Sequence, residues 1–165
     1  MIEEFHIPLD EYPRRCIEQI EKWSELSKTL LNEALSHERS LEYASYILES
    51  IVTGNPYRIG GNVLNKNLIT NLPQKACVEV PCLVDKNGIS PCYVGELPTQ
   101  LAAMNTTNIN TQLLTIEAAV TRKKDKIYQA AMLEPHTAAE LSIDDIVSLC
   151  NDLIAAHGSW LPEYE

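Results

Sequence analysis

The chain has 165 residues, of which 45% are apolar and 22% are charged, a composition typical of a folded domain and not of a disordered segment. Its formal net charge of −10 would repel a phosphate backbone, and the one basic run, at 122–126, has no interleaved aromatic residues, which argues against nucleic-acid binding. No stretch approaches the roughly 20 apolar residues that a membrane-spanning helix needs, so we expect no membrane partner.

The N-terminal segment MIEEFHIPLDEYPRRC is acidic at Glu3 and Glu4 and contains no apolar core. It therefore resembles neither a secretory signal nor a transit peptide and predicts a cytoplasmic location. In that reducing compartment the five cysteines, none of which forms a CxxC pair, are expected to be free thiols and not zinc ligands.

The first third of the chain predicts two helices, at 10–35 and 40–53, because apolar residues recur there at helical spacing and Gly54 follows as a stop signal. The segment SHERSLEY, at the predicted start of the second helix, contains Arg39. A guanidinium group at that place could bind an anionic or hydroxyl-rich ligand. The alternative is a solvated helix entrance with no ligand.

The middle third predicts strands, because the runs YRIGGNVLN, LITNLP and ACVEVPCLVD are short, rich in branched residues, and separated by Gly, Asn and Pro. The stretch DKNG at 85–88 predicts a turn, with Gly88 supplying a positive φ. Within VEVP, strand alternation places Glu79 on the face opposite its neighbours, which is ordinary for a sheet with one wet face. Asp85 is most simply a turn former, with a site role as the alternative.

The segment 60–73 carries an unusual number of side-chain amides. An amide both donates and accepts hydrogen bonds, which suits recognition of sugar hydroxyls, but asparagine is also a common turn former. Spacing leaves both interpretations open for the four residues concerned, Asn62, Asn65, Asn67 and Asn71.

After Pro98 the helical period returns, and the last helix shows a capping pattern, with Ser142 three residues before Asp145 and Gly158 beyond its end. Helices, then strands, then helices, without βαβ alternation or a Gly-rich phosphate loop, predict an α+β fold in a single domain spanning 1–165.

Five collinear motifs, RSLEYASYILESIVTG, GNVLNKNLITNLP, VEVPCLVDKNGISP, VGELPTQLAAMNTTNIN and AHGSWLP, resemble the C-terminal part of glycoside hydrolase family 4. The similarity is greatest to the alpha-galactosidase (melibiase-like) branch and extends from about 7 to 162. It implies the C-terminal lobe of the lactate and malate dehydrogenase-like superfamily, a mixed or antiparallel sheet flanked by helices.

The resemblance also implies an unusual chemistry, in which NAD takes hydride from the sugar, a divalent metal such as Mn²⁺ polarises the resulting ketone, and elimination follows. Such enzymes are an exception to the usual pair of carboxylates. The family's nucleotide-binding turn, metal-binding Cys and His, and catalytic base would precede this chain, so we expect no catalytic, metal or cofactor residue in it. The implied partners are an N-terminal NAD-binding lobe, a glycoside substrate and further copies of the chain.

Matched position by position, the family motifs favour Arg39, Asn62 and Asn65 as substrate-binding residues. The chain departs from the family pattern at Gly60, where an asparagine is expected, at Asn67, where a glycine is expected, and at Thr106, where an arginine is expected. The alternative function is a non-catalytic, orphaned lobe that acts as an assembly or binding module.

Overall fold

The computed structural model describes residues 4, 6–32 and 38–165, which form two compact units, Met1–Leu41 and Glu42–Glu165. The first unit contains helix α1, Glu11–Asn32, and the 33–35 part of the predicted 10–35 helix lies outside the described residues. The elements of the second unit are α2 (Tyr43–Thr53), β1 (Tyr57–Leu64), β2 (Cys77–Asp85), β3 (Gly88–Pro91), α3 (Thr99–Thr121), α4 (Lys124–Leu133), α5 (Pro135–Glu140), α6 (Ile143–His157) and a final 3₁₀ turn (Gly158–Trp160). Across the described ranges, every helix is too short or too polar to span a bilayer.

Helix α2 begins at Tyr43 and not at Ser40, so the prediction that Arg39 opens this helix is wrong. The backbone at Glu42 is extended, with φ −68° and ψ 145°, so the helical conformation begins only after this residue. The predicted stop is confirmed, because Gly54 adopts φ 80° and its N–H donates to the Ser50 carbonyl at 2.9 Å.

The strands form one antiparallel sheet in the order β1-β2-β3. Alternate residues of β2 are buried, and they pack with Ile59, Ala102 and Ile109 into the core between the sheet and α3. Helix α2 packs on β1 and β2, and the rings of Tyr46 and Tyr57 stack at 4.6 Å. The other face of the sheet, here called the open face, carries Arg58, Gly60 and Asn62 from β1 and Glu79, Pro81 and Leu83 from β2.

Two of the predicted strands are confirmed as β1 and β2, but LITNLP is not a strand. It forms a loop whose only strand-like contact in the described chain is a single parallel bridge from Ile69 to Gly95. The turn at 85–88 is confirmed, since the Asp85 carboxylate accepts the Asn87 N–H at 2.7 Å and Gly88 has φ 104°. Strand β3, which follows this turn, is not among the predicted strands, because its four residues are too few to show an alternating pattern.

The C-terminal half is helical, as predicted, with α3 packed on α4 and α4 on α6. The cap of α6 is confirmed, because Ser142 Oγ accepts the Asp145 N–H at 3.2 Å and donates to its carboxylate at 2.6 Å. The short helix α5 was not predicted, since six residues carry too little periodicity. The α+β class is confirmed.

Glu134 caps α5 with its carboxylate, which accepts the His136 N–H at 3.2 Å and the Thr137 N–H at 2.7 Å. The Thr137 hydroxyl also donates to it, at 2.6 Å, and these hydrogen bonds lower the pKa of Glu134, with the Thr137 side chain as the largest cause. A lowered pKa in the folded state means that the stabilisation is present above the ordinary carboxyl pKa and is lost as pH falls through the lowered value.

We therefore expect the wild-type chain to lose more stability on acidification from neutral pH to below pH 4 than a Glu134→Gln variant loses. Urea unfolding at a series of pH values measures this difference. The exposed Glu140→Gln variant is the control, and equal pH dependence of the wild type and Glu134→Gln would contradict the assignment.

Candidate functional site

The four asparagines of the amide-rich segment occupy different environments. Asn65 is fully buried, and its amide nitrogen donates to the carbonyls of Ile69 at 2.9 Å, Leu72 at 2.9 Å and Pro73 at 3.2 Å. Its carbonyl oxygen accepts the Ile69 N–H at 2.7 Å. Both amide hydrogens are therefore used by the backbone, and Asn65 holds the 65–73 loop instead of facing a ligand.

Asn71 and Asn67 also serve the loop. The half-buried amide of Asn71 pairs with the backbone of Leu97, donating to its carbonyl at 2.8 Å and accepting its N–H at 3.0 Å. Asn67 adopts φ 70°, a left-handed conformation that asparagine tolerates better than most residues. The turn interpretation of the sequence therefore fits Asn65, Asn67 and Asn71.

Asn62 differs from these three because it lies exposed on the open face of the sheet, directly opposite Glu79 in the β1–β2 register. Among the residues that the structure describes, neither the Asn62 amide nor the Glu79 carboxylate has a hydrogen-bond or ion-pair partner. An amide and a carboxylate on neighbouring strands have their Cβ atoms about 5 Å apart, close enough to contact one small ligand together.

A groove of about 400 Å³ opens beside this pair. Its lining residues come mainly from the two strands and include one aromatic residue of α2: Tyr43, Arg58, Ile59, Gly60, Glu79, Val80 and Pro81. Glycine at position 60 makes the groove possible, since a Cβ there would lie 2.8 Å from Glu79 Oε1. The groove therefore contains a carboxylate and a guanidinium group beside Gly60, and the Asn62 amide lies on the same face of the sheet, a set of groups suited to hydroxyls.

Arg39 is exposed and belongs to the first compact unit, ahead of α2. The structure thus places Asn62 beside the groove, Asn65 inside the loop, and Arg39 in a different unit. Sequence reasoning did not propose Arg58 or Tyr43. The alternation of β1 could have indicated Arg58, because it shares a face with Asn62 at i+4.

Two buried thiols, Cys82 in β2 and Cys150 in α6, are not activated as nucleophiles. Burial raises the pKa of Cys82, and the neighbouring Cys92 raises it further. Burial also raises the pKa of Cys150 in α6. Both groups therefore stay protonated at neutral pH and act as small apolar side chains.

The residues described in the structure include no group of three or more His, Cys, Asp or Glu side chains that could hold a metal ion. The open face itself offers one carboxylate and no histidine or cysteine side chain in its groove, fewer donors than a metal site requires. The donor set therefore suits a polar organic ligand and does not fit a metal.

Comparisons with known proteins identify the family of the chain. Residues 1–137 match the model of the family 4 glycosyl hydrolase C-terminal domain. The whole chain is 63% identical over 166 aligned residues to alpha-galactosidase of Bacillus subtilis (strain 168). It spans 38% of the length of that relative.

Two solved structures have a similar fold. A 6-phospho-alpha-glucosidase from gut microorganisms, in complex with NAD and glucose-6-phosphate, is 27% identical with a TM-score of 0.65, over 73% of this chain and 26% of that one. A second 6-phospho-alpha-glucosidase, in complex with NAD and Mn²⁺, is 19% identical with a TM-score of 0.73, over 92% and 36% of the two chains. With its α+β fold and the family model matched over most of its length, the chain belongs to the family 4 glycosyl hydrolases, as their C-terminal domain.

Proposed function

We propose that the chain is the C-terminal domain of an NAD- and divalent-metal-dependent glycosidase that acts on alpha-galactosides by oxidation and elimination. The observation that carries the proposal is the 63% identity to an alpha-galactosidase along the entire chain. The NAD and Mn²⁺ bound to the structural relatives support these cofactors for the complete enzyme.

In this proposal the chain supplies sugar contacts and no catalytic group. Since the described residues do not fit a metal, we assign the metal and the nucleotide to an N-terminal lobe of the kind that the longer relatives contain. Asn62 and Glu79 then hold sugar hydroxyls from the open face, Asn62 as donor and acceptor and Glu79 as acceptor. Arg39 remains a proposed substrate contact, whereas Asn65 is left out because its amide hydrogens are used by the loop.

The test is turnover by an enzyme reconstituted from this chain and the separately expressed N-terminal lobe of the Bacillus subtilis relative. The assay contains NAD, Mn²⁺, a reductant and a chromogenic alpha-galactoside. We expect Asn62→Ala to lower kcat/KM at least about 10-fold, because the variant loses one or two hydrogen bonds to the sugar in the transition state.

Asn67→Gly is the matched control, because it also removes an exposed amide from the same segment and glycine accepts φ 70°. We expect its kcat/KM to equal that of the wild type. A reconstituted complex with turnover that falls equally in both variants would contradict the role of the open face.

A second candidate, a non-catalytic assembly module, is favoured by one observation. Helix α1 exposes large apolar side chains, with Tyr12 78%, Ile20 70% and Trp23 67% exposed. Exposed apolar patches of this kind usually mark contact with another protein, and self-association would cover them. A chain that oligomerises but gives no turnover with the N-terminal lobe would favour this candidate.

A further inference from the structure

A second groove, of about 440 Å³, lies between one edge of β2 and helix α3. Its floor is apolar and includes Ile69, Leu72, Leu97 and Ile109, and its walls are polar. A volume between about 300 and 1,000 Å³ is typical of small-molecule sites in proteins.

The edge of β2 forms one wall. Strand β3 pairs with residues 82–85 of β2. The next residue, Cys92, donates its N–H to the Pro81 carbonyl at 2.8 Å. Beyond it the chain leaves β2 and reaches Gly95, which forms a bridge with Ile69. Since the Pro81 carbonyl points to the β3 side, alternation directs the backbone groups of Cys77 and Glu79 to the same side. Within the described chain no strand pairs with Cys77 or Glu79 on that side.

Side-chain amides of α3 form the opposite wall, since Asn105, Asn108 and Gln112 recur at i, i+3 and i+7 and all line the groove. The Asn105 and Asn108 amide nitrogens donate to the helix carbonyls of Leu101 at 3.0 Å and Met104 at 3.4 Å. Their carbonyl oxygens, and the whole Gln112 amide, have no hydrogen-bond partner among the described residues.

The charges of the groove restrict what it can hold. Its lining contains the carboxylate of Glu79 and no Lys, Arg or His side chain, so a phosphate group would be repelled with no compensating cation. An uncharged ring with many hydroxyls fits better, because hydroxyls both donate and accept, and its C–H face can pack on the apolar floor.

Glu79 and Pro81 line both this groove and the open-face groove, so the two lie side by side. We infer that the amide-lined groove binds the second, uncharged sugar unit of a disaccharide whose first unit contacts the open face. The inference rests on the proposed function, and it excludes disaccharides that carry a phosphate on this second unit.

The test is an NMR titration of the purified chain, labelled with ¹⁵N, with the disaccharide melibiose, with methyl alpha-galactoside and with glucose 6-phosphate. Side-chain amide signals report the groove directly. We expect melibiose to shift the signals of Asn105, Asn108 and Gln112, methyl alpha-galactoside to leave them in place, and glucose 6-phosphate to cause no shift at any of the three.

Gln112→Ala is expected to weaken melibiose binding about 5- to 10-fold, the effect of one or two lost hydrogen bonds. Gln100→Ala, which removes an exposed amide from the first turn of α3 outside the groove, is expected to leave it unchanged. Unmoved groove signals with melibiose, or equal shifts with glucose 6-phosphate, would overturn the inference. The turnover test of Asn62 does not depend on these signals, so the proposed function can stand when the inference fails.

Discussion

Replacing Asn65 with alanine is expected to lower the free energy of unfolding by about 3 to 5 kcal/mol, because the change leaves several buried backbone groups without partners. The carbonyls of Ile69, Leu72 and Pro73 and the N–H of Ile69 all lose a hydrogen bond. Small domains are stable by only about 5 to 15 kcal/mol, so the loss is a large share of the total. Urea unfolding followed by circular dichroism measures it.

Asn62→Ala is the matched control for this experiment. It removes the same amide from an exposed position three residues earlier, and we expect a change within about 0.5 kcal/mol. A small effect at Asn65, comparable with that at Asn62, would mean that the loop does not depend on the buried amide. The pair therefore separates a structural asparagine from a surface one with identical chemistry.

A second large effect is expected at Gly61, where an added Cβ would lie 2.6 Å from Cys82 Sγ. Cys82 belongs to the neighbouring strand β2 and is fully buried in the core, so a shift of its sulfur would disturb that packing, and we expect Gly61→Ala to cost about 1 to 3 kcal/mol. Thermal or urea unfolding of the purified variant measures the cost.

Two further variants make this prediction specific. The adjacent Gly60→Ala places its Cβ against the mobile end of Glu79, and we expect it to be nearly neutral. The double variant Gly61→Ala/Cys82→Ala should lose less free energy of unfolding than the sum of the losses of the two single variants, because the sulfur that the new Cβ would contact is absent. If the losses in free energy of unfolding of the two single variants simply add in the double variant, the contact between position 61 and Cys82 is not the cause of the destabilisation.

Much of the fold follows from local patterns. The periodicity of α3 and α6, the branched residues of β1 and β2, and the glycines at 54, 88 and 158 each predict an element or its end. The run LITNLP misled because its β-forming residues are overruled by the Asn65 amide, a tertiary effect that propensity does not contain. The start of α2 was misplaced because the extended Glu42 has no sequence signal.

The candidate site was predictable only in part. The family resemblance singled out Asn62 and Asn65 together, and the sequence shows no difference between them, because their burial depends on where the loop closes. The pairing of Asn62 with Glu79 depends on the register of β1 and β2, which the 65–76 connection sets. The amide-lined groove depends on how α3 lies against the edge of β2, a contact between segments distant in sequence.

The most direct test of the chain's role is whether it completes an enzyme. This chain and the N-terminal lobe of the Bacillus subtilis relative are purified separately and mixed with NAD, Mn²⁺, a reductant and a chromogenic alpha-galactoside. We expect turnover that requires both proteins and is absent with either one alone. A stable complex of the two that releases no product would contradict a role in glycoside hydrolysis and favour the assembly module.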